Sequence, residues 1–221
     1  MPLNKIKDTF YSLILQSINL RKRYKIIKNV EEFIYKNKLF FDKNSYGLDL
    51  GCGVNPRNIF NIENMYGVDI RSNNLDYVRE ANLSIEKIPF EDNTFDFCTA
   101  FDFLEHIPRQ LYVGNKSTLP FINLMNEIHR VLKPNGYFLH STPGYPSKQV
   151  FQDPTHVNFI TEDTFPHYFC SNIHNETSME GVRDSAAASI YGFNGNFIYI
   201  DQAWIFRGVN LIGLMRNKKI S

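Results

Sequence analysis

Leu48–Pro56 reads LDLGCGVNP, and the interpretation of the whole chain starts from it. An apolar run begins at Tyr46 and leads into the stretch, where Gly51 and Gly53 follow it directly. The run predicts a buried strand, and the glycines let the backbone turn tightly and let a ligand come close. Open α/β sheets bind nucleotide-like ligands where a strand ends in such a glycine-rich turn. The stretch therefore predicts a sheet with a ligand crevice at one edge.

Further strands surround this one. The predicted strands are Tyr46–Leu50, Met65–Ile70, Phe95–Phe101, Gly136–Ser141, Phe197–Phe206 and Val209–Met215. Between the third and the fourth, Leu119–Leu132 places apolar residues at helical spacing. Alternating strands and helices imply a mostly parallel sheet. We expect an open α/β sheet with helices on both faces and an antiparallel final strand.

Two acidic residues accompany the glycine turn. Asp49 brings a carboxylate to it, and Asp69 lies 18 residues beyond Gly51, near the usual offset for an acid that holds ribose hydroxyls. Pro56 stands where a dinucleotide-binding pattern has its third glycine. A pyrophosphate needs those close backbone approaches, whereas S-adenosylmethionine (SAM) carries no phosphate. The turn therefore favours SAM over a nicotinamide dinucleotide.

Four blocks of sequence carry a resemblance to one family. Leu48–Asn55 resembles the first motif of class I SAM-dependent methyltransferases, and Ile88–Asp96 (IPFEDNTFD) is similar to the family's lead into its fourth strand. Phe101–His106 (FDFLEH) resembles the segment after that strand, and Glu127–Gly136 (EIHRVLKPNG) is similar to the helix end before the fifth. The blocks occur in family order over residues 46 to about 142. The resemblance implies a Rossmann-like fold and SAM as cofactor.

The resemblance also implies a role for each residue of the turn. Gly51 and Gly53 would pack against the methionine part of SAM. Asp49 would hold the amino group, directly or through water. Asp69 would accept hydrogen bonds from both ribose hydroxyls.

Four further residues would complete the cofactor site by the same resemblance. Ile70 would flank the adenine, and Phe101 would close the site at the end of the fourth strand. The family usually has an acidic residue near the adenine amine, but this sequence has Ser84 there, followed by Ile85. Ser84 could still donate or accept a hydrogen bond at that position.

Two histidines are candidates for catalysis. Methyl transfer to an oxygen benefits from a general base, and histidine is the usual base near neutral pH. His156 is the first candidate, because it lies in Phe151–Phe159, which mixes polar and aromatic residues after the predicted fifth strand. His106, after the fourth strand, is the second. For either residue, a purely structural role is the alternative.

We predict no metal site, because the possible ligands show no tight spacing. The set that we weighed comprises Asp102, Glu105, Asp153 and His156. The three cysteines, Cys52, Cys98 and Cys170, contain no CxxC pair, which argues against a zinc site or a disulfide framework.

The predicted acceptor is a small molecule or a glycan, with methylation of a sugar hydroxyl as the working hypothesis. The polar-aromatic mixture of Phe151–Phe159 suits a hydroxylated small molecule. The choice of a sugar rests on a resemblance of Asp153–Asn158 to glycan-pathway methyltransferases. A lipid or quinone precursor is an alternative acceptor. Another alternative is a non-catalytic SAM-binding subunit that regulates a partner enzyme, since binding and turnover are separable.

Composition and length limit the remaining possibilities. The formal net charge of +1 gives no reason to expect a nucleic-acid partner. No apolar run approaches the ~20 residues of a membrane span, so a cytoplasmic location is expected. We divide the chain into an N-terminal helical extension, residues 1–40, and a SAM-dependent methyltransferase domain, residues 41–221. The oligomeric state has no signal in the sequence.

Overall fold

The computed structural model describes residues 25–71, 74–171 and 186–219. Its strands are β1 (Tyr46–Leu50), β2 (Asn64–Asp69), β3 (Val78–Glu80), β4 (Phe95–Phe101), β5 (Leu111–Val113), β6 (Lys116–Thr118), β7 (Leu132–Pro143), β8 (Phe197–Ile205) and β9 (Asn210–Asn217). Its helices are α1 (Val30–Lys36), α2 (Pro120–Val131), α3 (Gln149–Gln152) and α4 (Thr164–Phe169), with short 3₁₀ turns at Leu104–His106 and Ala187–Tyr191.

Seven strands form one sheet in the order β3-β2-β1-β4-β7-β9-β8. All neighbouring pairs are parallel except those of β9, which runs antiparallel to both β7 and β8. β5 and β6 form a separate antiparallel hairpin. The predicted mostly parallel sheet with an antiparallel final strand is therefore confirmed, and that final strand is inserted between two parallel ones.

Helices cover both faces of the sheet, as predicted. Successive residues of a strand point to opposite faces. On β9, Leu211 and Met215 belong to a core cluster that includes the apolar residues of α2 and α4, whereas Ile212 and Leu214 belong to a second cluster with Phe33 of α1. α1 therefore packs on one face and α2 and α4 on the other.

Loops rather than helices connect β1 to β2. Residues 51–63 contain no helix. Instead, Phe60 of this loop, Phe41 and Phe97 of β4 pack together, with ring centroids 4.5–4.8 Å apart. Aromatic pairs of this kind stabilise beyond the area they bury. An aromatic cluster thus covers the sheet around Phe97, which pairs with Gly47 near the start of β1.

The segment before β1 packs against the last strands. Ile27 donates a main-chain hydrogen bond to Trp204, and Trp204 donates one to Lys25, so residues 25–27 run beside β8. Of the predicted helical extension, Val30–Lys36 is helical in the described part, and residues 1–24 lie outside it. The domain boundary at residue 40 stays a prediction. Within the described ranges, no helix is long and apolar enough to cross a membrane.

Asn217 closes the end of α2. Its buried Nδ2 atom donates hydrogen bonds to the main-chain oxygens of His129, Leu132 and Lys133, each at 3.1 Å. Carbonyls at a helix end have no partner within the helix. The last residue of the sheet's final strand therefore supplies the donor that they need.

Asn217→Ala should lower the free energy of unfolding by about 2 kcal/mol, because the main-chain oxygens of His129 and Lys133 lose the side-chain donor. The oxygen of Leu132 keeps Nζ of Lys219 at 2.7 Å. Urea denaturation measures the change. The matched control is Asn123→Ala on the exposed side of α2, where Nδ2 donates only to Oγ1 of Thr118 at 2.9 Å. This control should change stability by less than about 0.5 kcal/mol. Equal losses in the two variants would contradict the capping role.

Candidate functional site

The carboxyl ends of β1 to β4 surround a crevice of about 310 Å³. β1 lies between β2 and β4, so the strand order reverses here, at the position where open α/β sheets bind ligands. Five of the predicted site residues line the crevice: Gly51, Asp69, Ile70, Ser84 and His106. The volume lies in the range of small-molecule sites.

Glycine is required at the turn after β1. Gly51 and Gly53 have φ angles of +67° and +65°, which other residues rarely adopt. A Cβ atom on Gly51 would overlap the ring of Phe103, which lines the crevice. The main-chain N–H of Gly51 donates to the oxygen of Val68 at 2.8 Å and ties the turn to β2. The turn therefore brings bare backbone to the crevice.

Asp69 is the anionic centre of the crevice. Its carboxylate accepts hydrogen bonds from the Gly53 N–H at 2.8 Å and from Nε of Arg71 at 2.8 Å. Burial opposes ionisation, but the hydrogen bonds from Arg71 and Gly53 outweigh it and hold the pKa of Asp69 below its usual value. Asp69 is thus a fixed carboxylate that can only accept hydrogen bonds, as ribose hydroxyls require.

Asp49 is buried beneath the turn. One carboxylate oxygen accepts from the Arg57 N–H at 2.8 Å and the other from Oγ1 of Thr99 at 2.7 Å. Burial raises the pKa of Asp49 to about 6 despite these hydrogen bonds. Asp49 therefore anchors the loop that follows the glycines. Its predicted contact with the amino group of SAM stays a prediction.

Of the four residues predicted to complete the cofactor site, only two line the crevice. Ile70, with 61% of its surface exposed, and Ser84 both line the crevice, whereas Ile85 and Phe101 do not. Phe101 is buried in the second core cluster, where the guanidinium carbon of Arg57 lies 4.8 Å from its ring centroid. Roles for Ile85 and Phe101 at the cofactor stay predictions. The ring that lines the crevice after β4 is that of Phe103 instead.

His106 and His156 lie together. Their ring centroids are 4.9 Å apart, although the residues are distant in sequence. Nδ1 of His156 contacts the main-chain oxygens of Gln149 and Val150 at 3.1 and 3.2 Å. A carbonyl oxygen can only accept, so Nδ1 carries a proton, and in the neutral ring Nε2 is the nitrogen with the free lone pair. The contacts with α3 fix His156 without using that nitrogen.

His106 has the same protonation pattern. Its Nδ1 contacts Oγ1 of Thr155 at 3.0 Å, and that hydroxyl donates to the carboxylate of Asp153 at 2.7 Å. Nδ1 of His106 also lies 3.3 Å from the main-chain oxygen of Thr155. Since both partners accept, Nδ1–H of His106 donates to them. The two imidazoles therefore each retain one basic nitrogen.

Of the four possible cation ligands named from the sequence, the structure brings only two close together. Glu105 and His156 come together with His106, so that one potential ligand atom from each lies within 4.8 Å of the others. Asp102 lines the crevice and accepts from Nδ2 of Asn210 at 2.7 Å, while Asp153 holds Thr155. His106 is thus part of the possible ligand set, although its spacing in the sequence did not suggest this.

Two more cavities adjoin this region. A cleft of about 440 Å³ with a mixed polar and apolar lining is bounded by Pro143, Gln149, Gln152, Asp153, Pro154 and His156. His106 lines the crevice and His156 lines the cleft, so the imidazole pair stands between the two. A mostly apolar cavity of about 360 Å³ is lined by Arg109, Leu119, Phe121, Ile122, Thr164, Tyr168, Phe169 and Tyr191.

The thiols do not suit nucleophilic chemistry. Burial raises the pKa of Cys52 to about 12, with the nearby carboxylate of Asp49 adding to the shift. Burial also raises the pKa of Cys98 and Cys170 well above the usual value. Only a thiolate is a good nucleophile, so these residues act as small packing groups.

The sheet order, the glycine turn and the acid after β2 define a Rossmann-like nucleoside-binding domain of the methyltransferase class. A sequence model described as a methyltransferase domain matches residues 19–172, which is more than half of the chain. The chain therefore belongs to the family of class I SAM-dependent methyltransferases.

Individual relatives agree with this family. Over 158 residues the chain is 25% identical to the demethylmenaquinone methyltransferase of Staphylococcus aureus, covering 61% of each protein. It is 32% identical over 118 residues to a sterol 4-C-methyltransferase of Caenorhabditis elegans, covering 46% of this chain and 32% of that protein. The chain thus spans less than two thirds of the length of either relative.

A solved structure shares the fold. The YcgJ protein of Bacillus subtilis superposes with a TM-score of 0.51 at 13% identity, covering 86% of this chain and 98% of that one. At this identity the likeness concerns the fold alone.

SAM is the cofactor of this family, and the crevice fits it. The positive-φ glycines allow close backbone approach, and Asp69 offers acceptors for ribose hydroxyls. No helix begins at the turn, so the feature that binds pyrophosphate in dinucleotide sites is absent from residues 51–63. A phosphate-free adenosine cofactor matches this set of groups.

Proposed function

We propose that this protein transfers a methyl group from SAM to a hydroxyl group of a small-molecule or glycan acceptor. The observation that carries the proposal is the imidazole pair between the cofactor crevice and the cleft. A donor in the crevice and an acceptor in the cleft would meet at His106 and His156. The polar side chains in the cleft, Gln149, Gln152 and Asp153, suit an acceptor that carries several hydroxyls.

The residues of the chain would divide the work. SAM supplies a methyl group already activated on a sulfonium, so the protein mainly has to orient the reactants. Asp69 would hold the ribose, and Gly51 would admit the methionine part. Nε2 of His156 would take the proton of the acceptor hydroxyl, with His106 beside it. A general base of this kind typically contributes 10²- to 10⁴-fold.

A lipid or quinone precursor is the second candidate acceptor. The apolar cavity beside α2 and α4 favours it, because Leu119, Phe121 and Phe169 could hold an aliphatic or aromatic group. The relatives in Staphylococcus aureus and Caenorhabditis elegans are named for a quinone and a sterol. Arg109 of this cavity is tied to the catalytic region, because its Nε donates to Oδ1 of Asn158 at 2.8 Å.

The test begins with titration of the purified protein with S-adenosylhomocysteine, followed by transfer of labelled methyl groups to a panel of acceptors. The panel contains nucleotide sugars, oligosaccharides, quinone precursors and sterols. We expect binding, and turnover with a hydroxylated polar acceptor. His156→Ala should lower kcat by about 100-fold or more while leaving the affinity for S-adenosylhomocysteine unchanged. His167→Ala, on α4, is the matched histidine control and should keep full activity.

Each other outcome selects a different function. Turnover only with a quinone or sterol would replace the glycan proposal by the second candidate. Binding without turnover on any acceptor would favour a non-catalytic SAM-binding subunit. No binding would overturn the proposal as a whole. The cytoplasmic location and the lack of a nucleic-acid partner stay predictions.

A further inference from the structure

Three side chains at the junction of crevice and cleft form a possible metal-ligand set. Glu105, His106 and His156 each offer one ligand atom, and these atoms lie within 4.8 Å of one another. Glu105 is buried, and both histidines are half-buried. Metal–ligand bonds of ~2.1 Å would place neighbouring ligands about 3.4 Å apart in a tetrahedral site. Small side-chain rotations would close the remaining distance.

The carboxylate of Glu105 provides a second, independent observation in favour of a ligand at this point. Only 2% of its surface is exposed. Oε2 accepts from Oγ1 of Thr142 at 2.7 Å, but the buried Oε1 has no hydrogen-bond partner among the described residues. A buried carboxylate oxygen without a partner is costly, and buried charges are normally paired or bound to a metal. A cation at this point would satisfy Oε1.

Both imidazoles make the hydrogen bonds that are typical of metal-binding histidines. A metal-binding histidine usually donates its other ring N–H to a main-chain carbonyl or a polar side chain, which fixes the tautomer and the ring orientation. His156 does this toward Gln149 and Val150, and His106 does it toward Thr155. Both rings therefore have their second nitrogen available for a cation.

We infer that Glu105, His106 and His156 bind one divalent transition-metal ion, such as Zn²⁺ or Mn²⁺. Imidazole ligands favour such ions, whereas Ca²⁺ and Mg²⁺ prefer sets made only of oxygen ligands. Three protein ligands leave at least one coordination position for an outside group, as in catalytic metal sites. The position between crevice and cleft gives that group access from the acceptor side.

The inference rests on the proposed methyl transfer and changes one part of it, the way in which the acceptor hydroxyl is activated. A ring nitrogen that binds a cation no longer accepts a proton, so coordination would activate the acceptor hydroxyl in place of His156 as base. The bound hydroxyl loses its proton to water. Its oxygen then forms a bond to the methyl carbon as the methyl–sulfur bond breaks, and S-adenosylhomocysteine leaves as a neutral thioether. Acceptors with two neighbouring oxygens would chelate the ion and bind best.

The test is calorimetric titration of the chelator-treated protein with Zn²⁺, and with Co²⁺ to record its visible absorption. We expect one ion per chain, and a Co²⁺ spectrum typical of mixed nitrogen and oxygen ligands. Glu105→Gln and His156→Ala should each weaken binding by about 100-fold or more, and His167→Ala should leave it unchanged. Thermal unfolding confirms that the variants fold. Glu105→Gln is useful because it keeps the shape of the side chain.

The outcomes separate this inference from the proposed function. Wild-type affinity equal to that of Glu105→Gln or His156→Ala would overturn the metal site, as would equal loss in His167→Ala. S-adenosylhomocysteine binding is measured on the same samples. If S-adenosylhomocysteine binds and Zn²⁺ does not, only the metal site fails. If Zn²⁺ binds and S-adenosylhomocysteine does not, only the methyltransferase proposal fails.

Discussion

Asp69→Ala should weaken the binding of S-adenosylhomocysteine by about 100-fold, because two hydrogen bonds to a charged group are lost at once. The carboxylate is already oriented by the Gly53 N–H and is ionised at neutral pH. A ligand whose ribose hydroxyls donate to it would therefore find an oriented acceptor once the exposed Arg71 side chain has moved aside. Calorimetric titration of wild type and variant gives the ratio of the two Kd values.

Arg71→Ala is the informative control for this prediction. The guanidinium of Arg71 donates to the same carboxylate, and 69% of its side chain is exposed. A ribose would have to displace it, and an exposed ion pair of this kind is weak. We expect Arg71→Ala to bind S-adenosylhomocysteine as tightly as wild type, or up to about fivefold more tightly. Strong loss of binding in this variant would show that Arg71, rather than Asp69, holds the ligand.

Acidification from about pH 7 to about pH 4.5 should remove about 3 kcal/mol of stability through His140 alone. Burial lowers the pKa of His140 to about 3, against an unfolded value of about 6.5. Between these values the unfolded chain binds the extra proton and the folded chain does not. The contribution is therefore fully present above pH ~6.5 and is lost as the pH falls toward 3.

His140→Gln tests this, because glutamine does not titrate. Each variant is compared with itself at the two pH values by urea denaturation, so a constant loss of packing against Phe165 cancels. His129, whose pKa burial lowers to about 4, adds a loss of the same sign. Asp49 opposes both, since its folded pKa of about 6 makes protonation favour the folded state. An unchanged pH dependence in His140→Gln would contradict the assignment.

The central strands of the sheet could be predicted because they are buried on both faces and are therefore continuous apolar runs in the sequence. The short edge strand β3, which is mostly exposed, was not predicted. β1 and β4 were predicted with their observed bounds, Tyr46–Leu50 and Phe95–Phe101. Asp69 was predictable because its distance from the glycine turn is set by the length of one connection. The proximity of His106 and His156 was not, because it depends on contacts of α3 that no local pattern encodes.

The sequence pattern did not predict that Phe103, rather than Phe101, lines the crevice. Phe101 and Phe103 are two residues apart, and a continued strand would have placed both on one face. Asp102, however, has a φ angle of +51°, which ends the regular alternation. Phe101 therefore stays in the core while Phe103 reaches the crevice. The sequence has no signal for that single backbone angle.

The lack of a helix in residues 51–63 also bears on which ligands the glycine turn attracts. A helix beginning there would point its N-terminal N–H groups and partial positive charge at the ligand. Residues 51–63 offer neither, so a phosphate chain attached to adenosine gains little attraction from this turn. ATP and other phosphorylated relatives share the adenosine of SAM but not its amino-acid end. We therefore expect the turn itself to favour SAM over ATP and other phosphorylated nucleotides.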